Sequence, residues 1–192
     1  MPLNERDLNP DKVSTATREL LLALGVDLTD RNFKDTPARV ARFMMELFRS
    51  KRSDMTAFTE EYDGMIILRG HEMWTLCPHH LLPVRMMVSI AYIPSQRVLG
   101  LSKLVRLVER FNTKPLMQEE MTHSIADWFA DGEIEAAGSA CYITGEHLCM
   151  RMRGVKTGAD VVTAAFRGQL QKQNDLKKMF MDIVCGREGR KL

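Results

Sequence analysis

Cys77-Pro78-His79-His80-Leu81-Leu82-Pro83 stands between two stretches of strand character, Glu72–Cys77 and Val84–Ile93. The second is rich in apolar residues and ends at Pro94, as a long sheet strand does. Working upstream, Met65–Leu68 reads as another short strand, and Lys51–Thr59 is polar and reads as a surface loop. Downstream, Gly138–Thr144 and His147–Arg153 read as two strands joined at Gly145, and Gly158–Phe166 as a further strand. Helical signals surround this sheet. Asn9-Pro10 is a cap followed by proline at the first helical position, and Gly25 stops the helix after Leu24. Thr36-Pro37 repeats the start, with Val40, Phe43, Met44, Leu47 and Phe48 at helical spacing. Ser102 is expected to cap a third helix through Phe111, Pro115 to open a fourth ending near Gly132, and Lys172–Val184 to form the last. The predicted class is α+β: helices first, then a largely antiparallel sheet with a helical pair inserted. The expected organisation is a helical region over residues 1–60 and a sheet-bearing region over 61–192, together one structural domain.

The chain has 192 residues, 45% of them apolar and 27% charged, which is the composition of a soluble globular protein. A net charge of +2 is too small to argue for nucleic acid. Apolar runs stay below the ~18 residues of a membrane span, and Met1–Asp11 lacks the apolar core of a secretory signal. Cysteines 77, 141, 149 and 185 are therefore expected to be reduced thiols in a cytoplasmic compartment. The many methionines, 14 of them, read as flexible core filling.

Cys77-x-x-His80 and the distant Cys149 form three corners of a tetrahedron. Structural zinc takes four protein ligands, whereas catalytic zinc keeps one position for water. If His147–Arg153 is a strand, His147, Cys149, Arg151 and Arg153 share one face and Leu148, Met150 and Met152 the other. A solvated face is the plain structural reading, although a thiol sits oddly among charges. Cys149 to Arg153 spans about 13 Å on a strand, enough for a reacting centre at one end and phosphates at the other. His79 and His147 are surplus to three-point ligation and are suited to moving protons. Ser102, Lys103 and Arg106 combine a helix start with two cations, an anion-binding pattern that surface helices also carry routinely. Gln118-Glu119-Glu120 is ordinary chemistry for a first helical turn, and a carboxylate there also matches the N1–H and 2-amino group of guanine.

These residues together resemble the GTP cyclohydrolase I family. The resemblance rests on Cys77-Pro78-His79-His80-Leu81-Leu82-Pro83, Ala91-Tyr92-Ile93-Pro94, Gly100-Leu101-Ser102-Lys103-Leu104-Val105-Arg106, Gln118-Glu119 and His147-Leu148-Cys149-Met150-Arg151-Met152-Arg153-Gly154. Asp35-Thr36-Pro37-Ala38-Arg39-Val40-Ala41 and Val162-Thr163-Ala164-Ala165-Phe166-Arg167-Gly168 also look familial, so the likeness runs from about Leu20 to Ile183. It implies a tunnelling fold, a homo-oligomer built as a decameric toroid, and sites between subunits. It implies Zn2+ held by Cys77, His80 and Cys149. Glu119, with Gln118 beside it, would anchor guanine. Lys103, Arg106, Arg153 and Arg39 would hold the triphosphate, and Ser102 would line the ribose side. His147 would be the catalytic acid/base, assisted by His79. The implied reaction opens GTP at C8, releases formate and yields 7,8-dihydroneopterin triphosphate, the entry to pterin and tetrahydrofolate synthesis. One departure is visible: Pro78 stands where the family usually has Glu, which suggests a divergent branch, including one serving deazapurine synthesis. Nitrile-reducing tunnelling-fold relatives carry a Glu-Ser-Lys-Ser-type motif that this chain lacks. A zinc-stabilised binding protein is the non-enzyme alternative. It would use Arg151, Arg153, Arg187, Arg190 and Lys191, but aromatics do not cluster with those cations.

Overall fold

The computed structural model describes residues 8–48, 54–132 and 134–186; the basic residues Arg187, Arg190 and Lys191 lie outside them. The chain forms two compact units. One comprises Met1–Ser50 with Asn112–Lys114, the other Lys51–Phe111 with Pro115–Leu192.

The first unit is a pair of helices, α1 (Pro10–Ala23) and α2 (Thr36–Phe48). Asn9 caps α1 as the sequence predicts, its side chain accepting from Lys12 N at 2.9 Å. Gly25, at φ 76°, ends it. The amides of Gly25 and Val26 then bond the carbonyls of Leu22 and Leu21, a Schellman closure. Asp27 and Asp30 tighten the connection, accepting from the Thr29 and Asn32 amides at 2.8 and 2.7 Å.

The second unit is built on a four-stranded antiparallel sheet of order β2-β3-β5-β6. Its strands are β2 (Ile66–Leu76), β3 (Pro83–Ile93), β5 (Gly138–His147) and β6 (Val161–Arg167). A small sheet pairs β1 (Ala57–Thr59) with β4 (Arg97–Leu99). The connections carry α3 (Leu101–Arg110) and α4 (Gln118–Asp131), a single turn α5 (Leu148–Arg151), and α6 (Gly168–Lys172) and α7 (Asn174–Cys185). Alternation along β3 feeds two cores. Val84, Met86, Val88, Ile90 and Tyr92 face α3 and α4, with Tyr92 stacked on Phe129 at 4.9 Å. Ala91 and Ile93 face Leu170 and Phe180 on the other side. The second face is covered only towards the Ile93 end of β3, since Arg85, Trp74 and Val162 on that face are exposed, and the α+β class is as expected.

Local boundaries differ from the sequence reading for physical reasons. The two short strands over 65–77 are one strand, β2, broken by a bulge between Leu68 and His71. Gly70 supplies φ 69° there, and its amide bonds Ser89 Oγ at 3.0 Å. The loop expected over 51–59 ends in strand β1, because Phe58 finds Val98 as a partner. Gly100, not Ser102, is the N-cap of α3. Pro115 precedes α4 by three residues, since Met117 is extended. The expected strand 158–166 begins at Val161; the expected last helix is α7, and the short helix α6 precedes it. The expected strand His147–Arg153 does not form. β5 runs unbroken through Gly145 to His147, and the chain then coils into α5, closed by Met152 N to Leu148 O at 2.9 Å.

Candidate active site

The start of β3 organises the site. Pro83 pairs with Leu76 on one flank, and Val84 with His147 on the other. The turn after β2 and the coil after β5 therefore emerge side by side. The turn is tight: Cys77 N bonds Leu82 O, and Leu81 N bonds Cys77 O, both at 2.9 Å, with Leu81 at φ 54°. This closure turns His79 and His80 back over Cys77. Their Nδ1 atoms lie 3.9 and 3.8 Å from its sulfur. Across β3, α5 delivers Cys149. The donor atoms of Cys77, His80 and Cys149 lie within 4.8 Å of one another, a group that could hold a metal ion.

The fit is chemical as well as spatial. Zinc bound at about 2.3 Å from sulfur and about 2.0 Å from nitrogen separates tetrahedral donors by about 3.5–3.8 Å. The Cys77–His80 spacing is already of that size. Burial raises the Cys149 thiol pKa first, and the neighbouring Cys77 thiol adds to it; the Arg153 cation pulls the other way. Arg153 also donates to His80 Nε2 at 2.5 Å. Because 148–151 is helical, the alternate-face argument for residues 147–153 fails. Arg151 turns back to pair with Glu146, while Arg153 reaches the histidine of the opposite turn.

His147 is the last residue of β5 and half-buried. Burial pushes its imidazole below the ordinary histidine range, and the Glu119 carboxylate opposes this. Glu119 is exposed at the start of α4, next to Gln118, which is only 2% exposed. The Gln118 carboxamide enters the sheet. Its Nε2 donates to Ile143 O at 3.1 Å, Val161 O at 3.0 Å and Thr163 Oγ1 at 3.0 Å. Its Oε1 lies 3.0 Å from His147 Nε2. Thr163 Oγ1 meets Thr122 Oγ1 at 2.7 Å, and Thr122 Oγ1 donates to the Gln118 carbonyl at 2.7 Å. Gly145 makes room: a Cβ there would stand 2.0 Å from Gln118 Oε1.

Ser102, Lys103 and Arg106 all lie on the first two turns of α3, Ser102 and Arg106 exposed and Lys103 half-buried. Arg39 belongs to the helical unit, on α2, 3.8 Å from Asp35. Thr122, Thr163 and Gly145 were missed as site residues. The one signal was Gly145, a glycine inside an apolar strand pattern, which reads as a turn until its neighbour is known.

Known proteins resemble this chain along most of its length. The family model of GTP cyclohydrolase I matches residues 13–185. GTP cyclohydrolase 1 of Aquifex aeolicus (strain VF5) is 41% identical over 182 residues, covering 93% of this chain and 98% of its own. That of Thermobifida fusca (strain YX) is 37% identical over 188 residues, covering 94% and 90%. Among solved structures, the archaeosine synthase QueF-Like in its apo form aligns over 57% of this chain with 16% identity and a TM-score of 0.47. Among the described residues, no helix is long and apolar enough to cross a membrane. A match spanning nearly the whole chain, with relatives aligned over nine-tenths or more of their own length, means that this chain belongs to the GTP cyclohydrolase I family.

Proposed function

We propose that this protein is a zinc-dependent GTP cyclohydrolase I. It hydrolyses GTP at C8, opens the imidazole ring, releases formate and rearranges the ribose to give 7,8-dihydroneopterin triphosphate. The observation that carries this reading is the convergence of Cys77, His80 and Cys149, the last of them two residues along the chain from His147, in a chain of this family.

Cys77, His80 and Cys149 would hold zinc, which supplies there a Lewis acid that activates water for attack on C8. Ligation through one nitrogen of His80 leaves the other as N–H, which cannot accept from Arg153; a loaded site therefore frees that guanidinium for an anion. His147 protonates N7, making C8 electrophilic, and its lowered pKa makes the proton easy to give up. His79, on the same turn as His80, assists proton movement. The exposed Glu119 carboxylate accepts from guanine N1–H and the 2-amino group. Lys103, Arg106, Arg153 and Arg39 bind the triphosphate, and Ser102 lines the ribose side.

The protein acts as a homo-oligomer, a decameric toroid, in the cytoplasm, and supplies pterin and tetrahydrofolate synthesis; Pro78 leaves a deazapurine branch as the alternative destination. Incubation of the assembled protein with GTP and Zn2+ should release formate and, after oxidation, a fluorescent pterin. A metal-loaded oligomer that yields neither would overturn the assignment.

A further inference from the structure

We infer that Gln118 is a positioning residue: it fixes His147 in the Nε2–H tautomer and leaves Nδ1 as the nitrogen that meets the reacting group. The tautomer follows from the hydrogen-bond pattern; the part played by Nδ1 rests on the proposed function.

A carboxamide has one donor end and one acceptor end, and the surroundings decide which way it points. Two of the partners of Gln118 Nε2 are the backbone carbonyls of Ile143 and Val161, which only accept. Flipping the amide would set its oxygen against both. The hydroxyls run in the same direction. Thr122 Oγ1 gives its proton to the Gln118 carbonyl, so it accepts from Thr163 Oγ1. Thr163 Oγ1 in turn accepts from Gln118 Nε2. Every donor in this closed set is used, which leaves Oε1 facing His147 Nε2 at 3.0 Å. An oxygen that only accepts requires Nε2 to carry a proton, whether the imidazole is neutral or cationic. Proton transfer to the substrate then breaks an Nδ1–H bond, forms an N–H bond at the purine, and returns a neutral Nε2–H imidazole.

This also accounts for Gly145. A side chain there would displace Oε1, and the same Cβ would lie 3.0 Å from His147 Nε2. It gives Gln118 a different part from contact with guanine, since its whole carboxamide is engaged within the sheet.

The test uses the full chain, zinc-loaded, with histidines labelled by 15N and no GTP present. Only five histidines need to be resolved, and His147→Ala identifies its own signals. The expected wild-type pattern is an Nε2–H imidazole whose proton exchanges slowly with solvent. Gln118→Ala and, independently, Gly145→Ala should abolish that slow exchange and mix the tautomers. Zinc content and KM for GTP should stay within about twofold, while kcat falls by about 10²-fold, in the range for a misplaced general acid. An Nδ1–H wild-type imidazole overturns the inference whatever the variants do. So does a Gln118→Ala enzyme with unchanged kcat and a raised KM, which would put Gln118 on the substrate. Wild-type protein inert toward GTP but with the Nε2–H pattern would sink the proposed function and leave the positioning role standing.

Discussion

The turn Cys77–Leu82 and the carboxamide of Gln118 hold their side chains in opposite ways. The turn is fixed by two backbone hydrogen bonds, and its tip, Pro78 to Leu81, is exposed. The imidazoles above Cys77 touch its sulfur at 3.8–3.9 Å, too far for strong mutual bonds. The Gln118 amide is buried, and both of its ends are satisfied by strands β5 and β6. A ligand set on an open turn lets a metal reach it and gains its final rigidity from coordination. A proton donor gains nothing of that kind, so its tautomer has to be built into the fold.

This contrast breaks most completely at the metal side. Cys149→Ser replaces a soft thiolate with a hydroxyl, and zinc content should fall to background. Turnover should drop on the order of 10³-fold, because a Lewis acid contributes several kcal/mol and each 1.36 kcal/mol is tenfold. Metal analysis of purified protein beside a formate assay checks both. A variant that keeps its zinc would remove Cys149 from the ligand set.

On the proton side, His147→Ala should separate the two functions. Zinc content stays near wild type, while kcat falls by 10²–10⁴-fold, roughly the worth of a general acid. Loss of metal together with activity would mean that the halves are not independently held, and the comparison would fail.

Thr163→Val probes the buried net without touching its ends. The Gln118 amide keeps the Ile143 and Val161 carbonyls, but Thr122 Oγ1 loses its donor. The expected cost is about 1–2 kcal/mol in denaturant unfolding, with kcat reduced less than about tenfold. Unchanged stability would show that the Thr122–Thr163 link is dispensable.

Which of these features the sequence discloses follows from their range. Helix α1 was legible from its cap and its terminal glycine because both act within a few residues. β3 was legible because its apolar pattern is continuous. The trio was legible because thiols and imidazoles are rare and their spacing is chemical. Gly145 was read as a turn because a glycine in a strand says only that a side chain is unwelcome. What forbids it is Gln118, 27 residues earlier in the chain, and that contact exists only after α4 packs on β5 and β6. The reading of 147–153 failed for the same reason: with Gly145 taken as a corner, the next residues were free to start a strand. Gln118 itself was visible as a polar residue beside Glu119, but nothing local told that one would be buried and the other exposed.

The smallest effect belongs to Pro78, and it sharpens the comparison from the turn side. Both hydrogen bonds that close the turn use the amides of Cys77 and Leu81, so the missing N–H of Pro78 costs neither. The ring meanwhile restricts the unfolded chain, as proline does where its φ suits the fold. Pro78→Ala should therefore lower unfolding free energy by only about 0.4–1 kcal/mol, a Tm shift of roughly 1–4 °C for a chain of this size. Pro78→Glu loses the same ring and adds the carboxylate that the family resemblance leads one to expect between the cysteine and the histidine pair. If the two variants turn over GTP equally, a carboxylate at that position does no chemistry in this scaffold, and the proline serves only to stiffen the open turn. If the glutamate variant is faster than both alanine and proline, the turn carries a proton-handling group elsewhere in the family, and in this chain the half-buried His147 must act without it.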